Sequence, residues 1–164
     1  MQAPDTDQCT PVILVIGVGN SSRGDDAVGL AVARQLRQAC TDGVRILERE
    51  GEATDLLETW KDAEVVILID AVQSGAAPGT ISRLDPYAEP IPHGVFSCST
   101  HAFGVAEAIA LAQALQRLPR HLVVYGIQGK CFARGVGLSA AVARAVPEVV
   151  RRVQHDIKSW QMLS

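Results

Sequence analysis

The feature that most constrains the fold is Pro11–Gly19 ("PVILVIGVG"), an apolar run that no charged or polar side chain interrupts. An alternating pattern indicates a strand with one solvated face, whereas a continuous run indicates a strand buried on both faces. Parallel sheets covered by helices on both sides contain strands of this kind. A second run, Glu64–Val72 ("EVVILIDAV"), is also predicted to be a buried strand, although Asp70 lies within it. The two runs predict a parallel sheet between two layers of helices.

Helical patterns alternate with these strands. Apolar residues at Val28, Val32 and Leu36 predict a helix over Asp25–Cys40. The other predicted elements are a strand at Gly43–Arg49, a helix at Thr54–Trp60 with Thr54 as its N-cap, an edge strand at Thr80–Asp85, a helix at Ser99–Leu118 capped by Ser99 or Thr100, a strand at His121–Gly129, and a helix from Ser139 to about Trp160 that Pro147 kinks or splits. This order predicts a three-layer α/β/α sandwich whose five-stranded sheet is mostly parallel, with one antiparallel edge strand.

Composition narrows the class of protein. The 164 residues suit a single domain, 1–164, with a polar N-terminal tail over 1–10. A net charge of −3 without a basic stripe argues against nucleic acid as a partner, and no apolar run is long enough to span a bilayer. The four cysteines are scattered without a CxxC pair and no signal peptide is seen, which indicates reduced thiols in the cytoplasm. We expect a monomer.

The loop Val15–Gly29 ("VIGVGNSSRGDDAVG") resembles a phosphate-binding glycine loop only in part. Gly17 and Gly19 fit the pattern G-x-G-x-x-G, but Ser22 occupies the third glycine's position. The predicted helix also opens with two carboxylates, at the end of a helix where a pyrophosphate would bind. Because like charges repel, the loop is better suited to presenting a carboxylate than to holding a nucleotide.

Three residues are candidates for the chemistry because each follows or ends a predicted strand or opens a helix: Asp26, Asp70 and His101. Ligands of open α/β sheets bind beyond the carboxyl ends of the strands, so these side chains can meet there. We assign Asp25 the structural role of a helix cap and Asp26 the position at the rim. A helix N-terminus lowers the pKa of His101, and a neutral imidazole with two carboxylates suits nickel, zinc, copper or iron.

Two other chemistries remain open. Cys98 lies three residues before His101 and is a conceivable thiol nucleophile, although a buried free cysteine is the more common case. Glu48 or Glu50 is a conceivable ribose-binding acid of a nucleotide-binding module. The sequence contains neither the His-x-x-x-His pair of zinc proteases nor the G-x-S-x-G turn of serine hydrolases.

At these residues the chain resembles the hydrogenase maturation endopeptidases. The loop Val15–Gly29 is similar to their N-terminal signature, in which G-x-G-N precedes two acidic residues and a glycine. The similarity covers about Ile13–Val150. Its other segments are "LIDAVQSGAAPGTI" at Leu68–Ile81, "CSTHAFG" at Cys98–Gly104 and "YGIQGKCFARGVGLSAAV" at Tyr125–Val142.

The resemblance implies an endopeptidase that removes the C-terminal extension of a nickel–iron hydrogenase large-subunit precursor after nickel insertion. It implies that Asp26, Asp70 and His101 contact nickel, which the precursor supplies. Asp26 and Asp70 are the expected catalytic residues, and Gly19, Asn20 and Gly104 are expected to contact the substrate. Some relatives have Glu at the position of Asp26, and Ser21–Ser22 replaces a more apolar pair.

Alternatives to this function and its mechanism stay open at this stage. Three mechanisms are open. Nickel is only the feature by which the enzyme recognises the precursor, or nickel polarises the scissile carbonyl, or an aspartate acts as general base for a water molecule. A chaperone that senses metal in the precursor without cutting it is the alternative function, beside the nucleotide-binding module. The loops Pro86–Val95 and Gly126–Gly137 are predicted to line the substrate groove.

Overall fold

The computed structural model describes residues 12–39, 42–92, 94–96 and 104–163. The predicted tail, 1–10, lies outside the described residues. The strands are β1 (Ile13–Val18), β2 (Val44–Arg49), β3 (Val65–Val72), β4 (Ile81–Leu84) and β5 (His121–Gln128). The helices are α1 (Val28–Gln38), α2 (Ala53–Trp60), α3 (Val105–Ala114) and α4 (Ala140–Met162), and a 3₁₀ turn (Gly24–Ala27) precedes α1.

The described strands form one five-stranded sheet in the order β2-β1-β3-β5-β4. The first four of these are parallel, and β4 runs antiparallel to β5 at the edge. All residues of β1 and β3 are buried, as their continuous apolar runs predict. The predicted mostly parallel sheet with one antiparallel edge strand is therefore confirmed.

Two hydrophobic clusters cover opposite faces of the sheet, which makes three layers. Alternate residues of β3, such as Ile67 and Ile69, pack with α1 and α4. The residues between them, such as Leu68 and Val72, pack with α2 and α3. Each buried aliphatic side chain contributes about 1.5–3 kcal/mol to the free energy of unfolding, so both faces are needed for stability.

The strand order reverses beside β1, and this reversal determines where a site can form. After β1 the chain passes through α1 to β2 on one side, and it then returns through α2 to β3 on the other side. The carboxyl ends of β1 and β3 thus lie at a topological switch point, where open α/β sheets leave a crevice for ligands. The loop after β1 and the end of β3 both meet this crevice.

Two predicted helix starts are wrong. Helix α2 begins at Ala53 with Glu52 as its N-cap, and the Thr54 hydroxyl donates to the Glu52 carboxylate within the first turn instead of capping. Helix α3 begins at Val105 and not at Ser99, because its N-cap Gly104 has an extended backbone. Periodicity alone places helix ends poorly, since apolar residues that precede a helix continue its pattern.

Helix α4 is continuous from Ala140 to Met162, so Pro147 does not split it. Proline removes the hydrogen bond that residue 147 would donate to the carbonyl of Ala143. Both residues are exposed, which leaves that carbonyl on the solvated side of the helix. No helix in the described part of the chain is both long enough and apolar enough to cross a membrane.

The edge strand β4 does not pair with β3, the strand that precedes it in sequence, but with β5. The chain leaves β4 at the amino end of β5, where the Tyr87 hydroxyl donates to the Pro119 carbonyl. It returns to the other end of the sheet at Val95, whose carbonyl accepts a hydrogen bond from the Gln73 amide at 2.9 Å. The predicted groove loop Pro86–Val95 therefore crosses the whole sheet, and only its last described residues reach the crevice.

Candidate functional site

Asp26 is positioned by a tight contact between two backbone segments. Gly19 has a φ of +152°, and a Cβ there would lie 1.8 Å from the Asp26 carbonyl oxygen. Only glycine allows the chain leaving β1 to pass so close to the 3₁₀ turn. The turn places Asp26 at the switch point with 2% of its surface exposed, and the Asn20 backbone amide donates to its carboxylate.

Gly29 allows the 3₁₀ turn and α1 to pack directly on the sheet. A Cβ at this position would lie 2.3 Å from the carbonyl oxygens of both Val18 and Ile69. In dinucleotide-binding loops the third glycine has the same role, because it allows the helix and the strand to pack closely. Gly29 was not predicted to have this role, because Ser22 and not Gly29 lies at the spacing of that third glycine.

Asp70 lies on β3 at the level where β1 ends. Its neighbour Ile69 pairs with Gly17 of β1, and Asp70 itself is opposite Gly126 of β5. The strand continues to Val72, two residues beyond Asp70. The Asp70 side chain is 6% exposed, and its Oδ1 accepts a hydrogen bond from the Ala71 amide at 2.8 Å.

The pKa values of both carboxyl groups are raised. Burial raises the pKa of Asp26, opposed by the positive charge of Arg23 and by the hydrogen bond from the Asn20 amide. The pKa of Asp70 lies well above its ordinary value because of burial and, second, because of the negative charge of Asp26. That interaction shows that the structure brings the two predicted residues together, and we call Asp26 and Asp70 the aspartate pair.

Asp26 has an unused ligand atom. Its Oδ2 is buried and has no hydrogen-bond partner among the described residues. A buried carboxylate oxygen without a donor is costly, since its lost hydration is not replaced. A proton or a cation at the aspartate pair would remove this cost. The pair therefore has the properties of a site that holds a proton or a metal ion.

Asp25, the other member of the Asp-Asp sequence, faces away from the aspartate pair. Its carboxylate accepts hydrogen bonds from the amides of Lys130, Cys131 and Ser139 and from the Ser139 hydroxyl. Burial raises the pKa of Asp25, but these four bonds together lower it below its ordinary value. Asp25 thus has a structural role, as predicted, although it tethers the loop after β5 instead of capping α1.

His101, the third predicted ligand, lies outside the described residues, as do Cys98, Ser99 and Thr100. Helix α3 begins at Val105, and the predicted position of His101 at a helix start, with its lowered pKa, stays a prediction. By the alternation along β3, Asp70 lies on the sheet face that α2 and α3 cover.

The three residues predicted to contact the substrate are placed as follows. Gly19 lies behind Asp26, as described above. The Asn20 side-chain oxygen accepts hydrogen bonds from the amide and the hydroxyl of Ser22, which closes the loop after β1. Gly104 is buried at the N-terminus of α3, where its amide donates to the Glu107 carboxylate at 2.8 Å. All three have structural contacts, and their contact with a substrate stays a prediction.

A cavity of about 440 Å³ adjoins the loop after β1 and opens beyond the ends of β1 and β2. It is the place that the ribose of a bound nucleotide would occupy. The Glu48 carboxylate there is held by the guanidinium groups of Arg34 and Arg37. Because these ion pairs occupy both of its oxygens, Glu48 is not free to bind a ribose. Glu50, the other predicted ribose-binding acid, is exposed and lines the same cavity.

Comparisons with known proteins agree with this geometry. A family model described as hydrogenase maturation protease matches residues 30–156. The chain belongs to the hydrogenase maturation protease family. The solved structure of HybD, a hydrogenase-maturating endopeptidase from Escherichia coli, superposes with a TM-score of 0.76 at 25% sequence identity, over 90% of this chain and 93% of HybD. The resemblance seen in the sequence and the α/β fold are thereby confirmed.

Relatives of this family differ in how much of their length the chain spans. It is 32% identical over 120 residues to the hydrogenase expression/formation protein HupD of Thiocapsa roseopersicina, covering 72% of this chain but only 54% of HupD. It is 30% identical over 155 residues to a putative hydrogenase maturation protease of Methanocaldococcus jannaschii, covering 89% of this chain and 96% of that relative. The chain thus spans little more than half of HupD and nearly all of the archaeal relative.

Proposed function

We propose that this protein is an endopeptidase that removes the C-terminal extension of a nickel–iron hydrogenase large-subunit precursor after nickel insertion. Membership of the hydrogenase maturation protease family supports the reaction class. The observation that carries the proposal is the aspartate pair, two buried carboxylates that two different segments bring together at the switch point of the sheet. A binding module for an organic ligand has no need for such a pair.

The aspartate pair fits a nickel ion that arrives with the precursor. Asp26 Oδ2 is a buried ligand atom without a donor, and carboxylates with an imidazole form a suitable donor set for nickel. We propose Asp26, Asp70 and His101 as its ligands on this chain. When bound, nickel supplies a positive charge that can polarise a carbonyl or a water molecule.

The chain's own contribution to hydrolysis is a base of suitable strength. A general base works best when its pKa lies near the working pH. In the metal-free chain, burial and the neighbouring charge of Asp26 move the pKa of Asp70 in that direction. We therefore propose that the aspartate pair accepts the proton of the attacking water, as aspartic proteases use paired carboxylates. The loop Gly126–Gly137, whose exposed part follows β5, is proposed as one side of the substrate groove.

The proposal includes a cytoplasmic location and a monomeric enzyme. Scattered cysteines without a CxxC pair support a reducing compartment. The precursor is a single polypeptide with one C-terminus, and the aspartate pair forms within one copy of this chain, so a second copy is not required.

Cleavage of matched precursors tests this function. We would incubate the chain with a nickel-loaded and with a nickel-free large-subunit precursor and compare intact masses. Loss of the C-terminal extension from the nickel-loaded precursor alone is the expected result. Equal cleavage of both precursors would show that the enzyme does not recognise nickel. Loss of activity after treatment with iodoacetamide would favour a cysteine nucleophile.

A metal-sensing chaperone is the alternative that the same experiment separates. A chaperone binds the nickel-loaded precursor but leaves its mass unchanged. Size-exclusion chromatography of the same mixtures detects that complex. Binding without a change in mass would therefore replace the proposed function with the chaperone function.

A further inference from the structure

The loop after β5 is fixed to the loop after β1 by several hydrogen bonds, most of them made by Asp25, the residue before Asp26. Asp25, which is 0% exposed, accepts four hydrogen bonds of 2.6–3.0 Å from Lys130, Cys131 and Ser139. The Asp25 amide in turn donates to the Cys131 carbonyl at 2.8 Å. One carboxylate thus joins both ends of the segment 130–139, since Lys130 begins it and Ser139 ends it.

Two further contacts close the middle of this segment onto the loop after β1. The Gly135 amide donates to the Ser22 carbonyl at 2.9 Å. Gly24 has a φ of +53°, and a Cβ there would lie 2.4 Å from the Cys131 carbonyl oxygen. The two loops therefore meet backbone against backbone, which leaves no room for either to move independently.

The segment that is held in this way presents exposed side chains beside the loop after β1. Lys130, Arg134 and Val136 are exposed, and Val136 is 44% exposed, which is high for an aliphatic residue. The segment contains two basic residues and no acidic residue. Neither basic side chain forms an ion pair with another residue in the described part of the chain. These donors are available for carbonyl or carboxylate oxygens of a bound polypeptide.

We infer that Asp25 is a positioning residue that holds Lys130–Gly137 as a fixed wall of the substrate groove, and that Arg134 on this wall contacts the precursor. The inference rests on the proposed function. Asp25 has no direct contact with the substrate in this account. It acts by keeping the wall at one distance from Asp26, because peptide hydrolysis requires the chain to be held accurately beside the catalytic groups.

A double-mutant cycle tests whether Asp25 and Arg134 affect KM for the precursor through the same wall. Arg134→Ala should raise KM for the nickel-loaded precursor about tenfold, and Asp25→Asn should raise it by a similar factor. In the double variant Arg134→Ala should have little further effect, since the wall is already displaced. A residue with only a role in stability would instead leave the effect of Arg134→Ala unchanged.

Asp156→Asn provides the matched control. The Asp156 carboxylate also accepts hydrogen bonds from two other elements, from Tyr125 of β5 and from Arg83 of β4. The substitution is chemically the same and it destabilises the protein away from the crevice. In this background Arg134→Ala should still raise KM about tenfold. All KM values are to be measured well below the unfolding midpoint of each variant.

Ser139→Ala keeps the test decisive if Asp25→Asn does not fold. It removes only the hydroxyl bond to Asp25, which is 2.9 Å long. It should speed hydrogen exchange at the amides of Lys130 and Cys131 and raise KM by a few-fold.

Equal effects of Arg134→Ala in the wild-type and Asp25→Asn backgrounds would overturn the inference while the proposed function stands. So would unchanged exchange rates at Lys130 and Cys131 in Ser139→Ala. A wild-type chain that neither binds nor cleaves the precursor would instead overturn the proposed function, and the inference with it.

Discussion

Two adjacent residues of the same type, Asp25 and Asp26, have opposite electrostatic environments. Four donors surround the carboxylate of Asp25 and lower its pKa. Asp26 has a buried oxygen without a donor among the described residues, and burial raises its pKa. The protein therefore stabilises one charge and destabilises the next. Such a contrast is typical of active sites, where stability is given up for a reactive group.

Asp70→Asn should stabilise the metal-free protein at neutral pH. Because burial and Asp26 raise the pKa of Asp70 in the folded state, the folded chain binds more protons than the unfolded chain as pH rises above about 4. Wild-type stability therefore falls with rising pH, and asparagine removes this loss. We expect a gain of about 0.5–2 kcal/mol at pH 7 and none below about pH 4. Urea unfolding with a chelator present measures it, and a loss of stability at pH 7 would contradict the account.

Asp25→Asn should have the opposite effect. The folded pKa of Asp25 is lowered, so its contribution is present above the unfolded pKa of about 3.9 and is lost as pH falls through the folded value. Loss of hydrogen bonds to a charged acceptor costs about 1.5–3 kcal/mol at pH 7. The difference from wild type should shrink in acid. The same urea titrations detect it, and a pH-independent difference would refute the assigned cause.

At the scale of single residues, the sequence could identify the carboxylates but not their partners. Asp26 and Asp70 follow from their places at the ends of apolar strands, since parallel strands end at one edge of a sheet. The bonds between Asp25 and Ser139 join residues 114 positions apart, and no local pattern predicts them. Gly29 was missed for a related reason, because its contact with Ile69 depends on the pairing of β1 with β3.

At the scale of elements, buried strands were predicted well and helix ends were not. Strands β1 and β3 are buried along their whole length, so their continuous apolar sequence distinguishes them from the rest of the chain. The start of α3 was placed six residues early because Ser99 and Thr100 are common N-cap residue types, whereas the N-cap of the helix is Gly104. The antiparallel edge strand was predicted, but its pairing with β5 was not, because no local pattern in the sequence indicates which strand it joins.

Gly29→Ala should disrupt the junction of α1 with the sheet. The added methyl group would lie 2.3 Å from two backbone carbonyl oxygens, which cannot rotate away as a side chain can. Overpacking of this kind costs about 1–3 kcal/mol, occasionally more. Thermal unfolding measures the loss. Gly75→Ala is a useful comparison, since a Cβ there meets nothing within 4 Å and only its φ of +84° is unfavourable. Equal midpoints for Gly29→Ala and wild type would contradict the close approach.

Tyr125→Phe should weaken the attachment of α4 to the sheet edge. The Tyr125 hydroxyl donates to the Asp156 carboxylate at 2.7 Å, and Arg83 of β4 binds the same oxygen at 2.9 Å. The Tyr125 side chain is 1% exposed, and the lost bond is partly buried. We expect a cost of about 1–2 kcal/mol in urea unfolding and unchanged precursor cleavage. A change in KM for the precursor would show that this network reaches the substrate groove.

At the scale of the whole molecule, the fold serves to bring two distant carboxylates together. Asp26 and Asp70 belong to different βα units, and the crossover between β1 and β3 makes their strands neighbours. Asp70 on β3 and Asp26 on the 3₁₀ turn before α1 are both buried, and this burial raises the pKa of both groups. The sequence indicated this architecture because alternating strands and helices allow few topologies.

The intact mass of a nickel-loaded large-subunit precursor, recorded before and after incubation with the wild-type chain and with Asp70→Asn, tests the central claim most directly. Asp70→Asn is expected to remain folded, so a loss of activity cannot be assigned to unfolding. The account predicts that wild type releases one C-terminal fragment and that Asp70→Asn leaves the precursor intact, with cleavage reduced at least about a hundredfold. An unchanged precursor mass with the wild-type chain, or cleavage by Asp70→Asn at the wild-type rate, would contradict it.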